Sequence, residues 1–193
     1  MYNAVLRSKL LSLLVLVIFA GSASAKNLFE GENFLTPMPK GFKVGYTVKK
    51  GKITLTELVP QSESVRDWTK MATIQIFNGN RSDPKAFLER MKSGFTRECE
   101  KLGAAEPVTG KVNGYPSAQI IFACTKEKKT GLGSLTAVRA YLGADSFYMV
   151  QRAWRGGPYS LDSMPVSTET FKKWMKYLRT VSLCDTRSSD HPC

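Results

Sequence analysis

Histidine is almost missing from this chain: a single one, His191, stands among 193 residues, third from the C-terminus. A tail histidine lacks the buried orienting partner that a serine or cysteine nucleophile needs in its base, so triad chemistry is not expected. Histidine-rich metal centres go with it, and no two cysteines stand at knuckle spacing, so no metal and no cofactor is expected. Gly131-Leu132-Gly133-Ser134 lacks both the later glycine of a nucleophile elbow and the Lys-Ser/Thr pair of a phosphate loop. No apolar run reaches the roughly 20 residues that a membrane-crossing helix requires. Acid is scarce too: 16 Asp and Glu face 28 Lys and Arg, a formal charge of +12. That excess favours an anionic neighbour such as lipid headgroups, acidic glycans or an acidic protein face. The basic residues are scattered rather than massed, and nucleic acid is not the expected partner.

What the chain does have begins with an address. Arg7 and Lys9 precede an apolar run from Leu10 to Ala20, and Ala23-Ser24-Ala25 supplies the small residues at which a signal peptidase cuts. Residues 1–25 read as a cleaved signal peptide, residues 26–183 as a single α+β domain, and residues 184–193 as a disulfide-closed tail. The chain is expected to be exported, to the periplasm or beyond the cell, with no transmembrane segment once mature and as a monomer. Four cysteines, Cys99, Cys124, Cys184 and Cys193, follow the cut site, and an oxidising compartment pairs such thiols. Three connectivities are possible. Cys99–Cys124 with Cys184–Cys193 is preferred, because the last two bracket a short polar tail with no other visible restraint.

Hydrophobic periodicity supplies the elements. Residues 26–41 form a lead-in in which Pro37 and Pro39 forbid a regular helix. Phe42–Val48 and Lys52–Val59 read as a hairpin turning at Lys50-Gly51, and Met71–Phe77 as a third strand. Asp83-Pro84 reads as an N-cap with proline in the first turn of a helix carrying Phe87, Met91, Phe95, Cys99 and Leu102 on one stripe and stopping at Gly103. Ser117–Thr125 is a strand with Ala118, Ile120, Phe122 and Cys124 on one face, so Cys99 and Cys124 both point at the core. Ser134–Leu142 and Ser146–Trp154 form another hairpin. A second helix, capped at Ser167 or Thr168, aligns Phe171, Trp174, Met175 and Leu178. The sum is an α+β fold: an antiparallel sheet of about six strands flanked by two long amphipathic helices.

The Pro39-Lys40-Gly41-Phe42 lead-in, the early hairpin, the strand running into a helix, the Gly114-Tyr115-Pro116 step into a central strand and the closing helix together resemble the PsbP-like superfamily over about residues 34–183. The resemblance implies an α/β/α sandwich used as a binding or assembly scaffold more often than as an enzyme.

Two constellations offer function. Glu63 and Asp67, four apart beside Trp68, would share a face if that stretch coiled, and with Glu57 they would offer the paired carboxylates of a glycan hydrolase. A capped surface turn neutralised by Arg66 and Lys70 is the favoured account of the same residues. Trp68, Trp154 and Tyr159, near Arg152 and Arg155, form the candidate binding set, since an exposed aromatic beside a guanidinium stacks on a sugar or rests at a membrane surface. The resulting expectation is an exported, non-catalytic binding or accessory protein that recognises an anionic envelope component or a protein by its surface. The alternatives are a secreted effector acting outside the cell and a carboxylate-dependent glycan hydrolase.

Overall fold

The computed structural model describes residues 29–193; the signal-peptide assignment to residues 1–25 lies outside the described residues. Its elements run β1 (Glu32–Leu35), β2 (Phe42–Lys50), β3 (Ile53–Pro60), β4 (Lys70–Asn78), α1 (Pro84–Glu98), β5 (Leu102–Gly103), β6 (Val108–Val112), β7 (Tyr115–Cys124), β8 (Gly133–Leu142), β9 (Ser146–Gly156), α2 (Thr168–Thr180) and β10 (Ser182–Asp185). β2-β3-β4-β9-β8-β7-β5 form one antiparallel sheet, with β6 also pairing β7, while β1 and β10 form a second sheet of two strands.

This corrects the expected architecture. The described residues are mostly sheet, 45% against 17% helix, with ten strands in two sheets and two short helices rather than about six strands between two long ones. The missed strands are β1, β5, β6 and β10, of two to five residues each. Such strands are too short for an alternating pattern to register, and long-range pairing fixes them instead. The lead-in of residues 26–41, in which Pro37 and Pro39 exclude a regular helix, contains β1, held by β10, and the tail expected over 184–193 begins inside β10. The first helix also ends early. Cys99 is extended at φ −95° and is bonded to Cys124 on β7, so the chain leaves the helix there and Leu102 pairs with Cys124 instead of completing a turn.

Local chemistry explains what forms. The Asp83 carboxylate accepts from the Ala86 amide at 2.9 Å, and Pro84 stands where no intrahelical N–H is needed. Ser167 caps α2 by accepting from the Thr170 amide at 3.2 Å. Alternation along the central strands then sorts two cores onto opposite faces of the large sheet. Ala118, Ile120, Phe122, Val138, Ala140, Phe147 and Met149 pack with Leu88 and the Phe87, Met91 and Phe95 side chains of α1. Leu135, Ala137, Tyr141, Tyr148 and Val150 pack with Trp174 and Leu178 of α2 and with Leu183 of β10.

The two ends of the described chain are tied to that second face. Phe34 of β1 lies 5.3 Å from the Tyr141 ring and 4.9 Å from Tyr148. The Glu32 carboxylate accepts from the amides of Ala144, Asp145 and Ser146 in the β8–β9 turn and from the Tyr148 hydroxyl. At the C-terminus Cys184 is bonded to Cys193. His191 stacks on Tyr115 at 3.9 Å, with its Nδ1 2.8 Å from the Asn113 carbonyl. The lone histidine is therefore a wedge in a docked tail.

Candidate functional site: a cationic cavity around Arg152

β9 carries Tyr148, Val150, Arg152 and Trp154 on the face toward α2, so a guanidinium stands in a row of apolar side chains. Its cross-strand neighbours are Ala72 on β4 and Ala137 on β8, both fully buried, and their small side chains leave the space the arginine fills. Arg152 is only 6% exposed. Its carbon ζ lies 4.4 Å from the centroid of Phe42, 5.3 Å from Tyr177 and 6.0 Å from Trp174, so three aromatic rings surround the charge. Each such contact contributes about 0.5–2 kcal/mol, which offsets part of the desolvation of a cation but supplies no hydrogen-bond acceptor. Among the described residues Arg152 Nε and Nη1 have no partner, and neither does the Tyr177 hydroxyl.

These groups line a cavity of about 400 Å³. Thr170, Lys173, Trp174 and Tyr177 reach it from one face of α2 at the i, i+3, i+4, i+7 spacing. Lys70 enters from the start of β4. Pro39, Lys40 and Phe42 arrive from a tight turn closed by the Phe42 amide donating to the Pro39 carbonyl at 3.1 Å, with Gly41 at φ +78° in the position that needs a left-handed residue. Four cationic side chains line this space and no carboxylate does. Lys173 also reaches Glu169 at 3.5 Å, an exposed helical pair of little energetic weight. Burial pushes the Arg152 guanidinium down to about 10, countered in part by Tyr177, so it stays charged at neutral pH. Burial also pushes the Tyr177 phenol up, keeping its proton available for donation.

The structure does not gather the five candidate residues into one patch. Only Arg152 reaches the cavity. Trp154, half-buried on the same face, meets Tyr159 edge-on at 5.9 Å, and the Tyr159 hydroxyl donates to the Ser134 carbonyl at 2.9 Å, which fixes the loop after β9. Arg155 points to the other face, where its guanidinium lies 4.4 Å from the centroid of Trp68 and its Nε donates to the Trp68 carbonyl at 3.2 Å. The carboxylate set separates as well. The stretch from 61 to 69 is a turn, not a helix. Glu63 accepts from the Thr69 amide at 2.7 Å and the Thr69 hydroxyl at 2.6 Å. Burial raises the Glu63 carboxyl, but those bonds together with Lys70 outweigh it and hold the group below its usual range, the opposite of a general acid. Glu57 sits within the sheet opposite Tyr46 and Thr73, and burial raises it.

A second cavity, about 460 Å³, lies between α1 and the turn at 127–130 and is lined by Met91, Phe95, Cys99 and their neighbours. No side chain lining it carries a buried polar atom without a partner, so it offers volume without a recognition group.

No protein-family model matches this chain, and neither does any curated protein. Among solved structures it is similar to LpqN, described as involved in cell envelope biogenesis of Mycobacterium tuberculosis, with a TM-score of 0.46 and 10% identity over 82% of this chain and 84% of that one. The PsbP-like resemblance gains no support from these comparisons.

Lys40, Phe42, Lys70, Lys173, Trp174 and Tyr177 were absent from the sequence-based set. Trp174 belongs to the apolar stripe expected of the second helix and is core, while Lys173 stands beside that stripe and carried no signal of its own. One signal was present: an arginine at an inward position between Val150 and Trp154 in an otherwise apolar row.

Proposed function

We propose that this protein is an exported, non-catalytic binding protein that captures an anionic ligand in the Arg152 cavity. The observation that carries the reading is a guanidinium 6% exposed, with two nitrogens unmatched among the described residues and three lysines at the same opening. An uncompensated buried cation costs several kcal/mol, and a fold that retains one has a use for it when a ligand supplies the missing acceptors. The signal-like residues 1–25 and the two disulfides favour an extracytoplasmic setting, where acidic glycans, lipid headgroups and acidic protein faces are all at hand. No described helix is long and apolar enough to cross a membrane. The non-catalytic part of the reading is supported by Glu63, whose carboxylate is engaged in closing its own turn.

The test is calorimetry of the mature, oxidised protein against citrate, glycerol 1-phosphate and a sulfated disaccharide. At least one binds below millimolar concentration, and Arg152→Met weakens that binding by about tenfold or more, the weight of a hydrogen bond to a charged group. Absence of binding to every anion, or binding that Arg152→Met leaves unchanged, overturns the proposal.

A further inference from the structure

The composition of the cavity narrows the ligand. Resting on the anion-binding reading above, we infer that the group bound at Arg152 is the phosphoryl end of a phosphomonoester. Two residues that line one cavity carry enclosed donor atoms without an acceptor among the described residues: Arg152 Nε and Nη1, and the Tyr177 hydroxyl, all just beneath the cavity wall. Lys40, Lys70 and Lys173 bring the formal charge around the space to +4, with no carboxylate in the lining. A carboxylate offers two oxygens and one charge, which leaves most of that demand unmet. A phosphomonoester near neutral pH carries about −1.5 to −2 and three strong acceptor oxygens, matching both the donors and the charge. A diester loses one acceptor and one charge and fits less well. The volume, about 400 Å³, exceeds what a bare phosphoryl group fills. Room therefore remains for an organic body against Pro39 and the rim of Phe42, with the lysines lining the same space. Neither aromatic stacking nor lysine charge alone selects this group, since both act on any anion. The selection comes from the buried, directional donors, because a buried donor left unpaired by the wrong ligand costs more than an exposed one.

Such a group reaches an exported protein either on a small soluble molecule or on a lipid headgroup, and two arms of one experiment separate these sources. In the first, calorimetry at pH 7.5 and fixed ionic strength compares glycerol 1-phosphate with dimethyl phosphate, acetate and citrate. Glycerol 1-phosphate binds about tenfold or more tightly than dimethyl phosphate and acetate. Tyr177→Phe, which removes one donor and keeps the ring, weakens the monoester by about fivefold while its effect on citrate is smaller. In the second, the protein is sedimented with phosphatidylcholine vesicles containing either phosphatidic acid, a monoester, or phosphatidylglycerol, a diester of single negative charge. Pelleting with phosphatidic acid alone assigns a lipid source, and binding of soluble glycerol 1-phosphate without pelleting assigns a soluble one. Equal affinity for monoester and diester in either arm overturns the inference. Should citrate still bind in an Arg152-dependent way, the anion-binding proposal stands without the phosphoryl assignment; if no anion binds, both fall.

Discussion

The two faces of the large sheet are built from the same strands and do different work. Toward α1, alternate residues of β7, β8 and β9 present aliphatic and phenylalanine side chains to Leu88, with the Phe95 and Phe122 rings stacked 4.5 Å apart. The Cys99–Cys124 bond staples the end of that helix to the sheet. Toward α2 the same alternation delivers Tyr141, Tyr148 and Arg152, opposite the α2 helix that carries the unmatched Tyr177 hydroxyl. Both faces hold buried hydroxyls without a partner among the described residues, Thr73 and Ser134 on the α1 side and Tyr141 and Tyr177 on the α2 side, but the unmatched charged donor, Arg152, lies toward α2. On the proposed reading, stability and recognition fall on opposite sides of one sheet, and an unfavourable group persists on one because the other holds the fold.

The largest test of that division is a truncation on the α1 side. Phe147 is fully buried and touches the Phe77 and Phe87 rings at 5.8 and 4.6 Å. Phe147→Ala removes a ring from a packed site and lowers unfolding free energy by about 3–5 kcal/mol, measured by urea denaturation. A loss under about 1 kcal/mol would mean that this face is not the one holding the fold together.

A smaller change of opposite sign is expected across the sheet. Arg152→Met keeps an unbranched stem among Phe42, Trp174 and Tyr177 while removing the buried charge. Replacing buried charged groups with well-packed apolar side chains gains about 1–4 kcal/mol in favourable cases, and the lost cation–π contacts draw the expected gain to about 1–2 kcal/mol. Greater stability joined to lost anion binding is the signature of a group kept for function. Destabilisation by Arg152→Met would instead make the guanidinium a structural element of the α2 core.

The α1 face was legible in the sequence because both its elements are long and regular. Phe87, Met91 and Phe95 repeat at helical spacing, and Ala118, Ile120 and Phe122 alternate, so local periodicity alone indicates what faces inward. The α2 face was legible only in part. Its helix stripe was plain, but the cavity draws on Lys40, Lys70, Arg152 and Tyr177, four segments that only tertiary pairing brings together. The same limit hid β1 and β10: four-residue strands that pair Glu32 with Asp185 have no pattern of their own. The helix end was misplaced for a related reason, since a covalent tether at Cys99 overrides the apolar continuation to Leu102. Arg155 is close to Arg152 in sequence, yet strand alternation sends it to the opposite face, where it meets Trp68.

The smallest effect concerns a second arginine on the α2 side, which sharpens the contrast with Arg152. Arg187 has the partners that Arg152 lacks: its guanidinium meets Asp185 Oδ2 at 2.6 Å and Asp145 Oδ2 at 2.5 Å, so it ties β10 to the β8–β9 turn. The side-chain hydrogen bonds from Arg187 hold the Asp185 carboxyl at about 2, below the roughly 3.9 of an unfolded aspartate. A carboxylate depressed in the folded state contributes stability that is fully present above about pH 4 and is lost as pH falls toward 2, because protonation then favours the unfolded form. The docked tail should therefore loosen between about pH 4 and pH 2, while the Arg152 cavity, with no carboxylate in its lining, contributes no such transition. Tyrosine-ring NMR signals can follow this through the stacking of His191 on Tyr115, with the Cys184–Cys193 bond intact. Asp185→Asn should flatten the response in that window. A tail that loosens identically in the variant would place the acid-sensitive contact elsewhere, and a tail unmoved at pH 2 would show that the disulfide and the β1–β10 pairing hold it without the ion pair.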